Sequence, residues 1–408
     1  MKRGGFVEIR PLRADEFESS LGLSEYAFQY KVKPEEREEQ RKSFIPERSW
    51  GAFEGGELLA KLMLLPLHLY VQGRPVPMGG IAGVATWPEH RRSGLVRELL
   101  TAALGRMNEQ GQHLSCLHPF SIPFYRKFGW EVYTDFKKYT VPIDSFPSKT
   151  YASGSVKRDV RNLELLNGIY HAFARRYNGM LARDEEWWKR MVLGDEDHTA
   201  VYYTESGQPE GYLLYQLKNR ELVIHEFVYL NEQARQGLWA YLANHDSMVT
   251  QAVFGRVPAD DLLPYLLRDP RCKQEIEPYF MARIVNAPAF VGGYSFTSPA
   301  SAGPIRLNLR IEDGFAPWNE GDWRLEVSPE GRGSLTPAEP AGSAELPVPA
   351  NSPHPGLLCN IQTFTAMLLG YKRPREMFAC GKLSGLEADV DTLERLIPFS
   401  PTALLDFF

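Results

Sequence analysis

Residues 81–96, IAGVATWPEHRRSGLV, set a cationic, glycine-containing turn between an apolar run and a helical pattern. The β-branched, strand-like run (Ile81, Val84, Thr86) stops at Pro88, and His90, Arg91, Arg92, Ser93 and Gly94 follow. Then LVRELLTAALGRM brings its leucines to one face. Strand, basic turn, helix start is a way to build an anion site. The first amides of a helix lack partners inside it, the helix dipole favours negative charge there, and a glycine lets a diphosphate approach the backbone. One helix and one strand later, residues 115–130 (SCLHPFSIPFYRKFGW) supply Tyr125 and then Phe128-Gly129-Trp130. A phenol that titrates near about 10 is matched to protonating a thiolate leaving group of comparable basicity. Each feature also has a plainer reading: a strand–helix connection with surface arginines, and an aromatic packed beside Phe124 and Phe128.

The surrounding pattern supplies the elements that must hold these residues. Residues 6–10 read as a strand, PLRADEFESSL as a helix start, and 34–48 as a solvated, densely charged helix or loop. Residues 49–53 and 58–71 read as two strands joined by Glu54-Gly55-Gly56, with Gln72-Gly73-Arg74 turning into the strand of the basic motif. This first unit is expected to close at 147.

A second unit is expected over 148–288. Residues 227–241, FVYLNEQARQGLWAY, align without gaps to 84–98, VATWPEHRRSGLVRE, so that Gly237 falls on Gly94, Leu238 on Leu95 and Arg235 on Arg92. Strands at 199–204, 210–216 and 222–229 and a turn at Glu205-Ser206-Gly207 repeat the earlier order. The turn is degraded: Ala234 stands at the position of Arg91, Asn231 at that of Pro88, and no matching tyrosine follows, so this copy is expected to keep the fold without catalysis. A third unit, 289–408, has short alternating strands at 305–311, 323–327 and 333–336, a Pro/Ala/Ser-rich stretch at 337–356 that reads as an exposed loop or hairpin, and helices at 361–369 and 387–397.

Length and composition set the outer bounds. At 408 residues, 43% hydrophobic and 24% charged, the chain reads as a soluble globular protein of two or three domains. A net charge of −5 argues against general nucleic-acid binding and suits cationic small molecules. Cys116, Cys272, Cys359 and Cys380 form no CxxC pair, and the histidines have no metal spacing, so reduced thiols, no metal and a cytoplasmic setting are expected. Cys116 and His118 alone are too little for zinc. No stretch reads as a signal peptide or a bilayer span.

The motif around Arg91-x-x-Gly94 resembles the acetyl-CoA motif [QR]-x-x-G-x-[GA] of GNAT N-acetyltransferases, with Val96 where that family has Gly or Ala. The Tyr125 segment resembles the same family. Residues APWNEGDWRLEV, IQTFTAMLLGY and the terminal LLDFF are similar to a sterol carrier protein type 2-like domain. An active GNAT, a degenerate GNAT and a sterol-carrier-like end together resemble the Eis family. The resemblance implies an α/β (α+β) architecture of tandem GNAT folds, mixed central sheets flanked by helices, ahead of an α+β sterol-carrier-like domain. It implies acetyl-CoA-dependent N-acetylation of aminoglycosides or lysine side chains, and a homohexamer. It implies Tyr125 as acid and the α-carboxylate of Phe408 as base; the plainer reading of LLDFF is a last piece of core. Acetyl-CoA would pair with the backbone of Val84, Ala85 and Thr86. Its diphosphate would lie on Arg91, Arg92, Ser93, Gly94, Leu95, Val96 and Arg97, with Phe120 and Ser121 beside the thioester. Glu25, Tyr26, Phe28 and Asp406 are the candidates for binding the amine, and Trp187-Trp188 reads as packing. The rival function is a lipid-binding protein that uses its C-terminal domain, with the GNAT units as scaffold.

Overall fold

Turn chemistry lays down the first hairpins. β1 (Glu8–Pro11) pairs with β2 (Ser49–Glu54), which turns through Gly55 and Gly56, at φ 60° and 87°, into β3 (Glu57–Val71). Gln72 and Gly73, at φ 52° and 74°, make the two-residue turn into β4 (Arg74–Thr86). Both central residues lie in the left-handed region, as a type I′ hairpin requires. Between β1 and β2 run α1 (Phe17–Phe28) and α2 (Pro34–Ser43), and α2 buries no residue, as its charge density predicts. After β4 comes α3 (Leu95–Glu109), which buries Leu95, Leu99, Leu100, Ala103, Leu104 and Met107 along one stripe. β5 (Leu114–Leu117), α4 (Ile122–Arg126) and β6 (Glu131–Pro142) follow.

The second unit repeats the plan with β7 (Ser155–Arg158), α5 (Leu163–Ala174), β8 (His198–Tyr203), β9 (Pro209–Lys218), β10 (Glu221–Tyr229), a helix Glu232–Ala243, β11 (Gln251–Pro258) and β12 (Lys273–Ile284). The two units are not separate sheets. They form one twelve-stranded sheet in the order β1-β2-β3-β4-β5-β12-β6-β11-β10-β9-β8-β7. β12, the last strand of the second unit, lies between β5 and β6 of the first, and β6 in turn pairs with β11. Each unit therefore completes its neighbour's sheet, a long-range pairing that local periodicity does not encode.

The structure, a computed structural model, describes residues 6–146, 153–267, 269–299, 303–338 and 356–408. The junction expected at 147/148 and most of the loop expected at 337–356 lie outside these residues. The junction expected at 288/289 falls inside a helix, Ala287–Gly293. The C-terminal part is a five-stranded sheet, β15-β14-β13-β16-β17, formed by β13 (Ile305–Glu312), β14 (Gly321–Val327), β15 (Gly333–Pro337), β16 (Leu357–Asn360) and β17 (Leu383–Ser384). Its inward Leu307, Leu309 and Leu325 join Phe364 and Met367 of the helix Ile361–Leu369 in one core with Met78, Tyr133 and Phe280 of the large sheet. The interior of this domain is thus packed in continuity with the large sheet.

The repeat holds in the strands and fails at the helix. α3 starts at Leu95 after a long turn, whereas the second unit's helix starts at Glu232, with only Leu230 and Asn231 between it and the end of β10. Gly94 caps α3 at φ 91°, but Gly237 lies inside its helix with Tyr202 packed against it. The ungapped alignment equates these two glycines, and the structure does not.

Candidate active site

The cavity opens where two parallel strands part. β4 pairs with β5 from Met78↔Leu114 to Ile81↔Leu117, and β4 then runs on to Thr86 without that partner. Opposite β3, the register shifts between Lys61↔Ala85 and Met63↔Ala82, so one residue of β3 faces two of β4. This bulge carries Gly83 at φ 57°, a conformation glycine takes without Cβ strain. The resulting cavity, about 1040 Å³, is bounded by the end of β4, the basic turn, α3, α4 and the end of the chain.

The basic turn has the shape of an anion cradle. Arg92 and Gly94 both have positive φ, 60° and 91°, and Ser93 Oγ donates to the His90 carbonyl. The helical ladder begins only with Glu98 N–H to the Gly94 carbonyl, and Gly94 supplies no side-chain cap. The amides of Leu95, Val96 and Arg97 therefore precede the ladder, as the first amides of any helix do. Arg91, Arg92 and Arg97 are exposed beside them, and the Arg97 guanidinium lies 5.3 Å from the centre of the Phe315 ring of the C-terminal domain. In the second unit the Asn231 side chain accepts from Ala234 N–H at 2.9 Å, so one amide at that helix start is already taken.

Tyr125 faces the cavity from α4 and is buried, with Phe120 and Phe124 ring centres 5.3 and 5.2 Å away. Burial pushes its phenol well above the usual tyrosine range, so it keeps its proton through neutral pH. Among the described residues its hydroxyl has no hydrogen-bond partner, which leaves the proton available to a ligand. Ser121 caps the helix, its carbonyl accepting from Phe124 and Tyr125 N–H at 3.1 and 3.3 Å. Gly129, at φ 91°, closes the turn; a Cβ there would meet Arg283 Nη1 at 2.2 Å. Arg283 comes from β12, donates to the Phe128 carbonyl and pairs with Asp313 of the C-terminal domain, both fully buried. All three parts of the chain thus brace the tyrosine.

The last two residues also line the cavity. The Phe408 ring packs 4.9 Å from Phe280 and 6.2 Å from Trp187, in space left by Gly80, where a Cβ would sit 2.9 Å from the ring. The Phe407 ring lies 4.9 Å from His118.

Of the residues singled out from sequence, Val84, Ala85, Thr86, Arg91, Arg92, Ser93, Gly94, Leu95, Val96, Arg97, Phe120, Tyr125, Phe408 and Phe28 line one cavity. Four candidates, Glu25, Tyr26, Asp406 and Ser121, do not line it. Glu25 is 7% exposed, accepting from Val32 N–H and Lys31 Nζ at 3.0 and 3.1 Å, and so closes the turn after α1. Tyr26 faces out against Trp87. Asp406 is buried and paired with Arg183. Ser121 acts through the backbone of α4. Among the described residues that line the cavity there is no Asp or Glu side chain. Sequence reasoning missed His118, Phe124, Phe128, Phe407 and Gly83. His118 directly follows β5 and is exposed at the strand's carboxyl end, where open α/β sheets place their sites; that position was the signal. Trp187, read as packing, donates from Nε1 to Asp406 at 2.8 Å. Among the described residues no cluster could hold a metal ion, and no helix is long and apolar enough to cross a membrane.

Comparison with known proteins matches this geometry. Residues 8–133 and 179–284 each match an acetyltransferase (GNAT) domain, and 287–404 match a sterol carrier protein domain. An uncharacterized N-acetyltransferase of Streptomyces avermitilis is 25% identical over 81% of this chain and 84% of its own. N-acetyltransferase Eis of Mycobacterium tuberculosis is 27% identical over 72% of this chain and 75% of its own. A probable N-acyltransferase from Enterococcus faecalis superposes with a TM-score of 0.88 at 26% identity, covering 99% of this chain and 100% of that one. Eis1 of Mycobacterium abscessus shares the fold at a TM-score of 0.79 and 20% identity, over 98% of this chain and 100% of that one. The GNAT domains imply acetyl-CoA as acetyl donor, and the uncapped amides behind Gly94, the three arginines and the open end of β4 suit its diphosphate and amide groups. The chain is an Eis-like GNAT N-acetyltransferase with a sterol-carrier-like C-terminal domain.

Proposed function

We propose that the protein acetylates a primary amine of a small cationic acceptor, aminoglycoside-like in character, or a lysine side chain. The amine nitrogen bonds to the thioester carbonyl carbon, the carbon–sulfur bond breaks, the Phe408 carboxylate takes the ammonium proton, and Tyr125 protonates the departing thiolate. The observation that carries this reading is the presence of Tyr125, the 91–97 turn and the chain's last residue around one cavity. A terminal carboxylate is a weak base in water, near about 3.5, and an aromatic lining raises its proton affinity. Backbone amides of residues 84–86 orient the donor, which contributes rate by alignment as well as by charge.

The lining bears on the acceptor. With no acidic side chain among the described residues that line it, a cationic amine would meet the faces of Phe28, Phe120 and Phe407 and one α-carboxylate. Cation–π contact of this kind suits an amine carried on a partly apolar body. A homohexamer accompanies the proposed function through the Eis resemblance, and a cytoplasmic setting through the widely spaced cysteines.

Acetyl-CoA consumption over a panel of aminoglycosides, polyamines, arylalkylamines and lysine peptides tests the acceptor class. Turnover with none of them would overturn the amine assignment. Adding two glycines after Phe408 moves the carboxylate by several ångströms, and kcat should fall at least about a hundredfold. Unchanged kcat would exclude the terminal carboxylate as base.

A further inference from the structure

The second unit lacks a cradle, yet its sheet–helix interface is occupied. Residues 401–408 cross it as an extended arm. Asn178 N–H donates to the Pro401 carbonyl at 2.9 Å, and Ala403 and Leu405 are buried with Leu166, Tyr170, Trp188 and Tyr212. The polar contacts of the arm then concentrate on two residues. The Leu405 carbonyl accepts from Arg256 Nη1 at 2.8 Å, and the Asp406 carbonyl accepts from Tyr279 Oη at 2.8 Å. The Asp406 carboxylate accepts from Arg183 Nε at 2.8 Å and Trp187 Nε1 at 2.8 Å. Arg183 is itself clamped: its other nitrogens pair with Glu226, and its guanidinium lies 3.8 Å from the Tyr170 ring centre. Glu226 also accepts from Tyr212 Oη at 2.6 Å. Side-chain exposure is 1% for Arg183, 6% for Glu226 and 2% for Asp406.

The place of Glu226 is informative. It flanks a bulge in β10, where the register with β9 shifts between Ile224 and Glu226. The ungapped repeat alignment sets Glu226 on Gly83, which marks the corresponding bulge of β4. At this aligned position the first unit has Gly83, which has no side chain and borders the cavity. In the second, the Glu226 carboxylate beside the bulge holds Arg183, which holds the arm. Phe407 and Phe408, which follow Asp406, both line the first unit's cavity.

We propose that the second GNAT unit works as the dock that aims the chain's end into the first unit's cavity, with Arg183 as its positioning residue. The effect on turnover rests on the Phe408 carboxylate acting as base; the docking itself does not. Burying an arginine between two carboxylates is not an economical way to gain stability, because desolvation offsets much of the attraction, but it defines one geometry. A displacement of about 1 Å at the terminus is enough to cost up to a hundredfold in rate.

The test uses the full chain as D406N, R183K and the neutralised pair R183M/E226Q. Release of the terminal phenylalanines by a carboxypeptidase specific for aromatic ends reads the docking. Steady-state kinetics and acetyl-CoA affinity read the site. In D406N, release should be at least about tenfold faster and kcat about ten- to a hundredfold lower, with the acetyl-CoA Kd within about twofold of the parent. R183K should fall between the parent and R183M/E226Q. Parental release and kcat in folded D406N would overturn the proposal, and D406N, isosteric with the parent, stands if R183M/E226Q does not fold. If the glycine-extended chain keeps its kcat while D406N still frees its end, the docking stands and the terminal base falls. If extension abolishes turnover while D406N changes neither readout, the docking falls and the base stands.

Discussion

The two GNAT units share a strand order and differ where the strand meets the helix. In the first, β4 is followed by a long basic turn, and α3 opens on Gly94 with uncapped amides. In the second, the helix follows β10 almost at once, and Asn231 caps it. The same sheet therefore yields an anion cradle in one case and a closed helix start in the other. A shared strand order does not by itself carry an anion site, because such a site resides in a few backbone amides and not in the core that carries them. The interior faces differ as well. The first unit buries Lys61 between β3 and α1 with the Ser20 carbonyl and hydroxyl at 2.7 Å each. The second buries Arg183 between two carboxylates.

The largest expected effect that sharpens this contrast is at Tyr125, since the second unit's sequence has no tyrosine followed by an aromatic-Gly-aromatic turn. Tyr125→Phe keeps the ring and removes the acid, so kcat should fall about 10²- to 10⁴-fold. Acetyl-CoA binding, measured by calorimetry, should be retained, and full activity would remove the phenol from the reaction. Next in size is a matched pair at the two glycines that the alignment equates. Gly94→Ala has open space around its Cβ but keeps an unfavourable φ of 91°. It should lose about 1 kcal/mol of stability and about tenfold in acetyl-CoA affinity as the turn relaxes. Gly237→Ala would place a Cβ 2.3 Å from Tyr202, costing about 1–3 kcal/mol in denaturant unfolding with acetyl-CoA affinity unchanged. If Gly237→Ala weakened acetyl-CoA binding as Gly94→Ala does, the division of labour between the units would collapse.

A further contrast, in pH dependence, concerns the buried cations. Burial lowers the Lys61 ammonium from 10.5 to about 8. Between those values the unfolded chain binds more protons than the folded one, so stability rises with pH across that window. The rise is at most about 3 kcal/mol. Lys61→Met should flatten the dependence, whereas Arg183 stays charged throughout and adds none. A Lys61→Met protein with an undiminished slope from pH 8 to 10.5 would place the titrating group elsewhere.

Much of the fold was legible locally. Gly55-Gly56 and Gln72-Gly73 announce their hairpins because few residues tolerate positive φ, and the leucine stripe of α3 announces a buried face. The anion turn and Tyr125 were legible for the same reason, since residue type and spacing carry their chemistry within short segments. The acceptor side was not. Glu25 and Asp406 have the right charge, but a carboxylate already holding Val32 N–H or Arg183 has no need of a substrate cation. Pairing of that kind spans 223 residues in the case of Arg183 and Asp406, and no window of sequence reports it.

Sequence alone determined the strands, the helices, the cradle and the family, because each follows from backbone preference or side-chain pattern over a few residues. Tertiary structure decided that β12 completes the first unit's sheet, that the second unit's groove receives the arm, and that Phe408 and Tyr125 border one cavity. Those outcomes depend on which buried surfaces and charges find each other once the chain has collapsed. The free energy of such encounters belongs to pairs of segments, so neither segment carries it by itself.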